Sequence, residues 1–169
     1  MIETIVIVLL ILLDQGVKYL VKTTIPLGGS VSFLPGIMGF TYLRNDGAAF
    51  SMLEGARWFF VVLTVAFVIF ALWVLWTKKL VHPLGKWAWV LVIAGAVGNL
   101  IDRCLYGYVV DMFQTQFMNF AIFNVADIFV VVGGIAFCIY YAFIHDKFKA
   151  KQQAKQTETE PEAEHDDPV

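Results

Sequence analysis

From Trp58 to Trp76 the chain runs nineteen residues without a charged side chain. A bilayer core about 30 Å thick is crossed by about 20 apolar residues in a helix. Inside lipid every backbone polar group must be bonded within the segment, so a helix is the form such a run takes. Trp58, Trp73 and Trp76 stand near its ends, where indole rings suit the membrane–water boundary. Burying this run in a soluble core is the alternative, and composition argues against it. Of 169 residues, 59% are apolar and 15% charged. Soluble domains have about 45–50% apolar residues, with Gly counted, and about a quarter charged. A chain of this length cannot cover so much apolar surface with its own polar groups. An aromatic content of 15% and a mean hydropathy of +0.73 also exclude a disordered chain.

Three more spans follow from the same criterion. The spans are expected at about 2–21, 58–76, 87–103 and 121–144. The first begins Met1-Ile2-Glu3-Thr4, without the basic flank of a cleaved signal peptide, and reads as a retained span. The fold class expected is an all-α membrane protein: a four-transmembrane-helix bundle with a small extracytoplasmic β-element in the first outer loop. In that loop Val31 and Phe33, then Met38, Phe40 and Tyr42, alternate around the turn signal Pro35-Gly36. Such a hairpin is placed to lie on the membrane surface and close over whatever site lies beneath. Lys78, Lys79 and Lys86 precede span three, and Lys147, Lys149, Lys151 and Lys155 follow span four. Against these seven, the opposite side carries Arg44, Arg57 and Arg103, which puts both termini in the cytoplasm. Lys18 and Lys22, near the outer end of span one, reach the interface by extending their stems. Residues 1–150 form the membrane domain. Residues 151–169, with six acidic residues and two lysines, read as a disordered cytoplasmic tail.

Ionisable groups within spans are costly and mark function by default. Here they converge on one layer toward the outer face: Asp14 in span one, Asn99, Asp102 and Arg103 at the end of span three, Asp111 just beyond, and Asn124 and Asp127 at the start of span four. Each also has a bland reading. Asp14 and Lys18 are four residues apart and can simply neutralise each other. Asp102, beside Arg103 and one turn after Asn99, reads better as part of a network holding helix ends together. Asn124 and Asp127 share a helix face. Asp127 reads as a functional group inside the span ahead of a helix-start cap. Asp111 alone reads as an ordinary loop aspartate.

The missing residue types narrow the chemistry. His82, His145 and His165 all fall in cytoplasmic segments, so a nucleophile–histidine pair is not expected in the layer. Cys104 and Cys138 offer neither a disulfide framework nor a cysteine-based zinc site. A formal charge of −2 gives no field for nucleic acid. No cofactor or metal is expected. What remains is a pair of carboxyls, of which one keeps its proton while the other takes a proton from water.

The polar layer also carries a family resemblance. Leu13-Asp14-Gln15 with Lys18, Asn45-Asp46-Gly47-Ala48-Ala49-Phe50, Gly98-Asn99-Leu100-Ile101-Asp102-Arg103 with Val109-Val110-Asp111, and Phe123-Asn124-Val125-Ala126-Asp127 stand in one order over about residues 5 to 145. Together they resemble lipoprotein signal peptidase (signal peptidase II), a bacterial aspartic peptidase family of the inner membrane. The resemblance implies that Asp111 and Asp127 are the catalytic dyad, which reverses the loop reading of Asp111. It implies that Asn99, Arg103 and Asn124 line the site or position substrate, and that Asp14, Lys18, Asn45 and Gly47 support it. The substrate implied is a diacylglyceryl-modified prolipoprotein, cut just before the lipidated cysteine by a monomer in contact with membrane lipids. Between the two aspartates the chain departs from the family: Phe117 to Ile122 stand where many members have a Trp and a Pro. A small proton-coupled transporter using Asp14, Asp102 and Asp127 is the rival reading. It wants polar residues through the whole membrane depth, whereas span two has only Thr64.

Overall fold

The computed structural model describes residues 1–47, 56–77, 80 and 82–159. Helix α1 spans Ile2–Thr24 and is followed by strands β1 (Ser30–Leu34) and β2 (Met38–Asn45). Helix α2 covers Arg57–Trp76, and helix α3 covers Pro83–Leu105. Strand β3 (Val109–Thr115) leads to helix α4 (Val125–Ile139), a π-helical turn at Tyr140–Ile144, and helix α5 (His145–Thr159). Ala48-Ala49-Phe50, Lys78, Lys79 and residues 160–169 lie outside the described residues.

Four helices are long and apolar enough to cross a membrane: Ile2–Thr24, Arg57–Trp76, Pro83–Leu105 and Val125–Gln153. Their outward faces are apolar, with Leu9, Leu12, Phe59, Val62, Ile69, Val131 and Ile135 exposed. Helix α3 lies at the centre and packs against α1, α2 and α4. Its start is set locally: Pro83 takes the first turn, and His82 Nδ1 accepts from the Leu84 N–H at 3.2 Å. Ile7, Ala71, Leu75, Val90, Ile93 and Ala94 form the core between α1, α2 and α3.

Helices α3 and α4 meet through small residues. A Cβ on Gly95 would collide with the Ala126 carbonyl oxygen and the Val130 side chain. A Cβ on Gly98 would stand 2.6 Å from Asp14 Oδ2. Between apolar helices in lipid, close backbone approach of this kind supplies the packing that solvent exclusion cannot.

The sheet has the order β1-β2-β3, with both pairs antiparallel. The hairpin between β1 and β2 turns at Gly36, whose φ of 75° is left-handed. Its register places Val31 opposite Phe40 and Ser30 opposite Thr41. The third strand was not expected. Val109, Val110, Asp111 and Met112 are all buried, so the segment lacks the period-two alternation that announces a half-exposed strand. The hairpin is therefore not free to move alone. Phe40 sits between Phe33 and Phe113, at ring distances of 5.2 and 5.4 Å. A second core of Val21, Ile25, Tyr42, Val110 and Met112 fastens the sheet to the end of α1.

Two boundaries differ from expectation. The fourth helix starts at Val125 rather than near 121, because Phe123 pairs with β3 and Asn124 caps the helix instead. Phe113 N–H donates to the Phe123 carbonyl at 2.8 Å, and Phe123 N–H returns a bond of 3.2 Å. The tail expected to be unstructured from residue 151 continues as α5 to Thr159. A helix already formed needs no new nucleation, and the Lys, Gln and Ala of 147–155 propagate it.

The α3–α4 contact makes a direct prediction. Gly95→Val should destabilise the protein by roughly 1–3 kcal/mol through overpacking. Gly134→Ala, where a Cβ meets nothing within 4 Å, should change little. Thermal unfolding of both variants in detergent, compared with the unsubstituted protein, checks this.

Candidate active site

Asp111 stands at the middle of β3, opposite Leu43 of β2, and is 1% exposed. Asp127 stands in the first turn of α4. That turn is built by a reciprocal cap. Asn124 Oδ1 accepts from the Asp127 N–H at 3.0 Å, and Asp127 Oδ2 accepts from the Asn124 N–H at 3.0 Å. Asp127 is thus in the first turn of the fourth span, and the helix-start cap ranked second on sequence grounds is present. Capping leaves Asp127 Oδ1 free to face the neighbouring helix, where it accepts from Asn99 Nδ2 at 2.8 Å.

Asn124 also joins the two carboxyls. With its oxygen committed to the cap, its Nδ2 donates to Asp111 Oδ1 at 2.6 Å. The other oxygen of Asp111 accepts from Asn45 Nδ2 at 2.9 Å. Asn45 is oriented in turn by the Gly47 N–H, which donates to its Oδ1 at 3.1 Å. Asn99 is oriented by Lys18, whose Nζ donates to Asn99 Oδ1 at 2.9 Å. Each of these asparagines therefore has its oxygen held by one donor and its amide nitrogen turned to a carboxylate.

Asn45, Asn99, Arg103, Asp111, Asn124 and Asp127 share one cleft of about 450 Å³. Its remaining walls are apolar and run from Phe120 and Ile122 to Ile128, Val131 and Val132 on α4. Among the described residues, no histidine or cysteine lines it. Arg103 is the cation in the wall. Its guanidinium lies over the Phe60 ring at 5.0 Å, and Nη2 donates to the Gly47 carbonyl at 3.3 Å. Burial pushes the Asp111 carboxyl up from its ordinary 3.8 to about 6. The Asn45 and Asn124 hydrogen bonds and the Lys18 charge oppose that rise, and the nearby Asp127 charge adds to it.

Asp14, Lys18 and Asp102 lie behind the cleft. Lys18 Nζ is 2.9 Å from Asp14 Oδ2 and 3.1 Å from Asp102 Oδ2. Asp14 Oδ1 accepts from the Ala126 N–H at 2.9 Å, and Asp102 Oδ2 from the Val110 N–H at 3.0 Å. These two carboxylates hold α4 and β3 in place, so the network reading of Asp102 matches its contacts. Gln15 belongs to the same network, a role its own sequence block does not reveal. Its Nε2 lies 3.2 Å from Asp14 Oδ2, 3.0 Å from Asp102 Oδ1 and 3.1 Å from the Gly98 carbonyl. The available signal was an amide inside an apolar span, next to a carboxylate.

Known proteins share both the sequence and this fold. The sequence profile described as "Signal peptidase (SPase) II" matches residues 6–143. A lipoprotein signal peptidase of Lactococcus lactis subsp. cremoris (strain SK11) is 45% identical over 147 residues, covering 87% of this chain and 96% of its own. Its counterpart in Enterococcus faecalis (strain ATCC 700802 / V583) is 48% identical, covering 85% and 88%. A bacterial membrane enzyme solved by the in meso method at 2.3 Å superposes with a TM-score of 0.78 at 33% identity, over 86% of this chain and 88% of that one. The fold is thus that of a bacterial membrane enzyme. The chain belongs to the signal peptidase II family and is a peptidase.

The raised Asp111 carboxyl has a consequence for stability. An unfolded chain releases this proton near 3.8, whereas the folded protein holds it to about 6. Stability should therefore fall as pH rises from 4 to 6, by up to about 3 kcal/mol, and stay flat above that on account of this group. Asp111→Asn should remove this part of the slope. Melting temperatures of both proteins in detergent across that range test it.

Proposed function

We propose that the protein is a membrane-embedded aspartic endopeptidase that removes signal peptides from diacylglyceryl-modified prolipoproteins. Cleavage falls just before the lipidated cysteine. The observation that carries this reading is the pairing of Asp111 and Asp127 across one cleft through Asn124, with an apolar wall running away from them along α4. The peptide bond sits between the carboxyls, and the acyl chains follow Ile128, Val131 and Val132, which are open to the lipid side. The names of the relatives support the same substrate class.

The dyad shares one proton. Two carboxyls this close to a common amide do not both ionise easily at neutral pH. A water molecule between them gives its proton to the ionised carboxylate and attacks the scissile carbonyl carbon. The protonated carboxyl donates a hydrogen bond to the carbonyl oxygen and stabilises the charge that develops there. As the tetrahedral intermediate collapses, the C–N bond breaks and a dyad proton passes to the leaving amine. The pair has then gained one proton from water and lost one to the amine, so it returns to its starting state. Arg103 anchors the loop that carries Gly47 and adds positive charge to the wall.

In this reading residues 1–150 are the peptidase domain, lying as a bundle in the bacterial inner membrane and working as a monomer. Both termini are cytoplasmic. The sheet and the dyad lie toward the outer face, where a lipid-anchored substrate presents its scissile bond. Residues 151–169 are a cytoplasmic appendage to that domain.

A gel-shift assay with the purified protein in detergent and a diacylglyceryl-modified prolipoprotein tests the reading. Cleavage before the lipidated cysteine is expected, with Asp111→Asn and Asp127→Asn each losing roughly 1000-fold or more in kcat while remaining folded. Normal cutting by either variant would remove that aspartate from the dyad. No cutting by the unsubstituted protein would return the proton-coupled transporter.

A further inference from the structure

Lys18 is 2% exposed and does not line the cleft, yet all its hydrogen-bonding capacity is spent beside it. Its ammonium meets Asp14 Oδ2 at 2.9 Å, Asp102 Oδ2 at 3.1 Å and Asn99 Oδ1 at 2.9 Å. Three N–H bonds and three acceptors leave nothing for a substrate. Two of those acceptors are carboxylates that balance its charge. The third is a neutral amide, and the charge balance does not explain it.

The amide is explained by what lies on its far side. An ammonium accepts no hydrogen bond, so only the oxygen of Asn99 can face Lys18. The NH2 group must then point the other way, and there it donates to Asp127 Oδ1 at 2.8 Å. Without Lys18 the Asn99 amide is free to turn over and present its oxygen to Asp127 instead. That change converts a donor favouring the carboxylate into an acceptor favouring the protonated acid.

We propose that Lys18 is a positioning residue for the dyad, acting through the Asn99 amide to keep a hydrogen-bond donor on Asp127. The proposal rests on the two-aspartate reading above and says how its proton is placed. Among the described residues, the charged groups around the dyad are Arg103 in the cleft wall and, behind it, Asp102 on α3 and Lys18 and Asp14 on α1. The two neighbours from the strands and the α4 cap, Asn45 and Asn124, are neutral. Their amides are locked by backbone N–H groups of Gly47 and Asp127. Asn99 is the one of the three whose orientation depends on a side chain.

Removing Lys18 alone strands two buried carboxylates, so the test uses a charge-balanced pair. In Lys18→Met with Asp14→Asn, a cation and an anion leave together. A second variant, Asn99→Asp, keeps every acceptor of Lys18 but turns an oxygen toward Asp127. The readout is infrared titration of the protonated-carboxyl band in the full-length protein in detergent, with the dyad band identified by its change in Asp111→Asn and Asp127→Asn. It needs no turnover. In both test variants the pH at which the dyad loses its proton should move up by about one unit. Where cleavage is measurable, kcat should fall about tenfold with KM within about twofold. An unshifted titration in either folded variant overturns the proposal. If the balanced pair does not fold, Lys18→Met with Asp102→Asn, which also removes one cation and one anion, takes its place with the same expected shift. Active Asp111→Asn or Asp127→Asn would instead overturn the dyad itself, so the two failures are distinguishable.

Discussion

A single buried ammonium holds the polar layer together. Lys18 sits between carboxylates from two helices, and each carboxylate uses its remaining capacity on a different part of the chain. Asp14 accepts from the first turn of α4 and Asp102 accepts from β3. One charge cluster thus fastens α1, α3, α4 and the sheet at the same level. Desolvating such a cluster costs several kcal/mol per ion, and its attraction repays that only when every lone pair and proton is used. Here Gln15 and two backbone N–H groups complete it. Once assembled, the cluster leaves little freedom to the elements bearing Asp111 and Asp127.

Asp111 and Asp127 are held by amides instead of by charges. A lysine or arginine bonded directly to either carboxyl would strongly favour its ionised form. Asparagine donates a hydrogen bond without a formal charge, so it fixes geometry while leaving the proton exchangeable. The weakness of an amide is that it can turn over, and each of the three asparagines has its oxygen pinned. Positive charge is kept one layer back at Lys18 or directed to a backbone carbonyl at Arg103. This arrangement suits the proposed mechanism, in which the two carboxyls exchange roles.

Much of this was legible before any coordinates. Four spans can be read from hydropathy because the bilayer imposes a length and forbids unpaired backbone. The polar layer can be read because a charge in a span is expensive. Asp102 could be read as part of a helix-end network because Arg103 and Asn99 offered it structural company, and its bonds to Lys18 and the Val110 N–H agree. Asp111 could not be placed by its own residues. It lies on a strand buried on both faces, which carries no alternation, and its partners are 66 and 13 positions away in sequence. Asp127 looked like an intramembrane residue because Ala121-Ile122-Phe123 are apolar. They are apolar because they wall the cleft, with Phe123 also bonded to β3, not because they are helical.

The sequence by itself determined that the chain carries four helices fit to span a membrane and which residue types break their apolar runs. Those properties follow from local composition, since each span satisfies its own backbone and meets lipid independently of its neighbours. Tertiary structure decided which of the polar groups meet. Glycines at 95 and 98 let α3 approach α1 and α4 closely enough for Asp14 to bond the Ala126 N–H, Lys18 to bond Asn99 and Asn99 to bond Asp127 across helices. A third strand carried Asp111 to the mouth of α4. Both depend on contacts between segments far apart in the chain, and no local pattern records them.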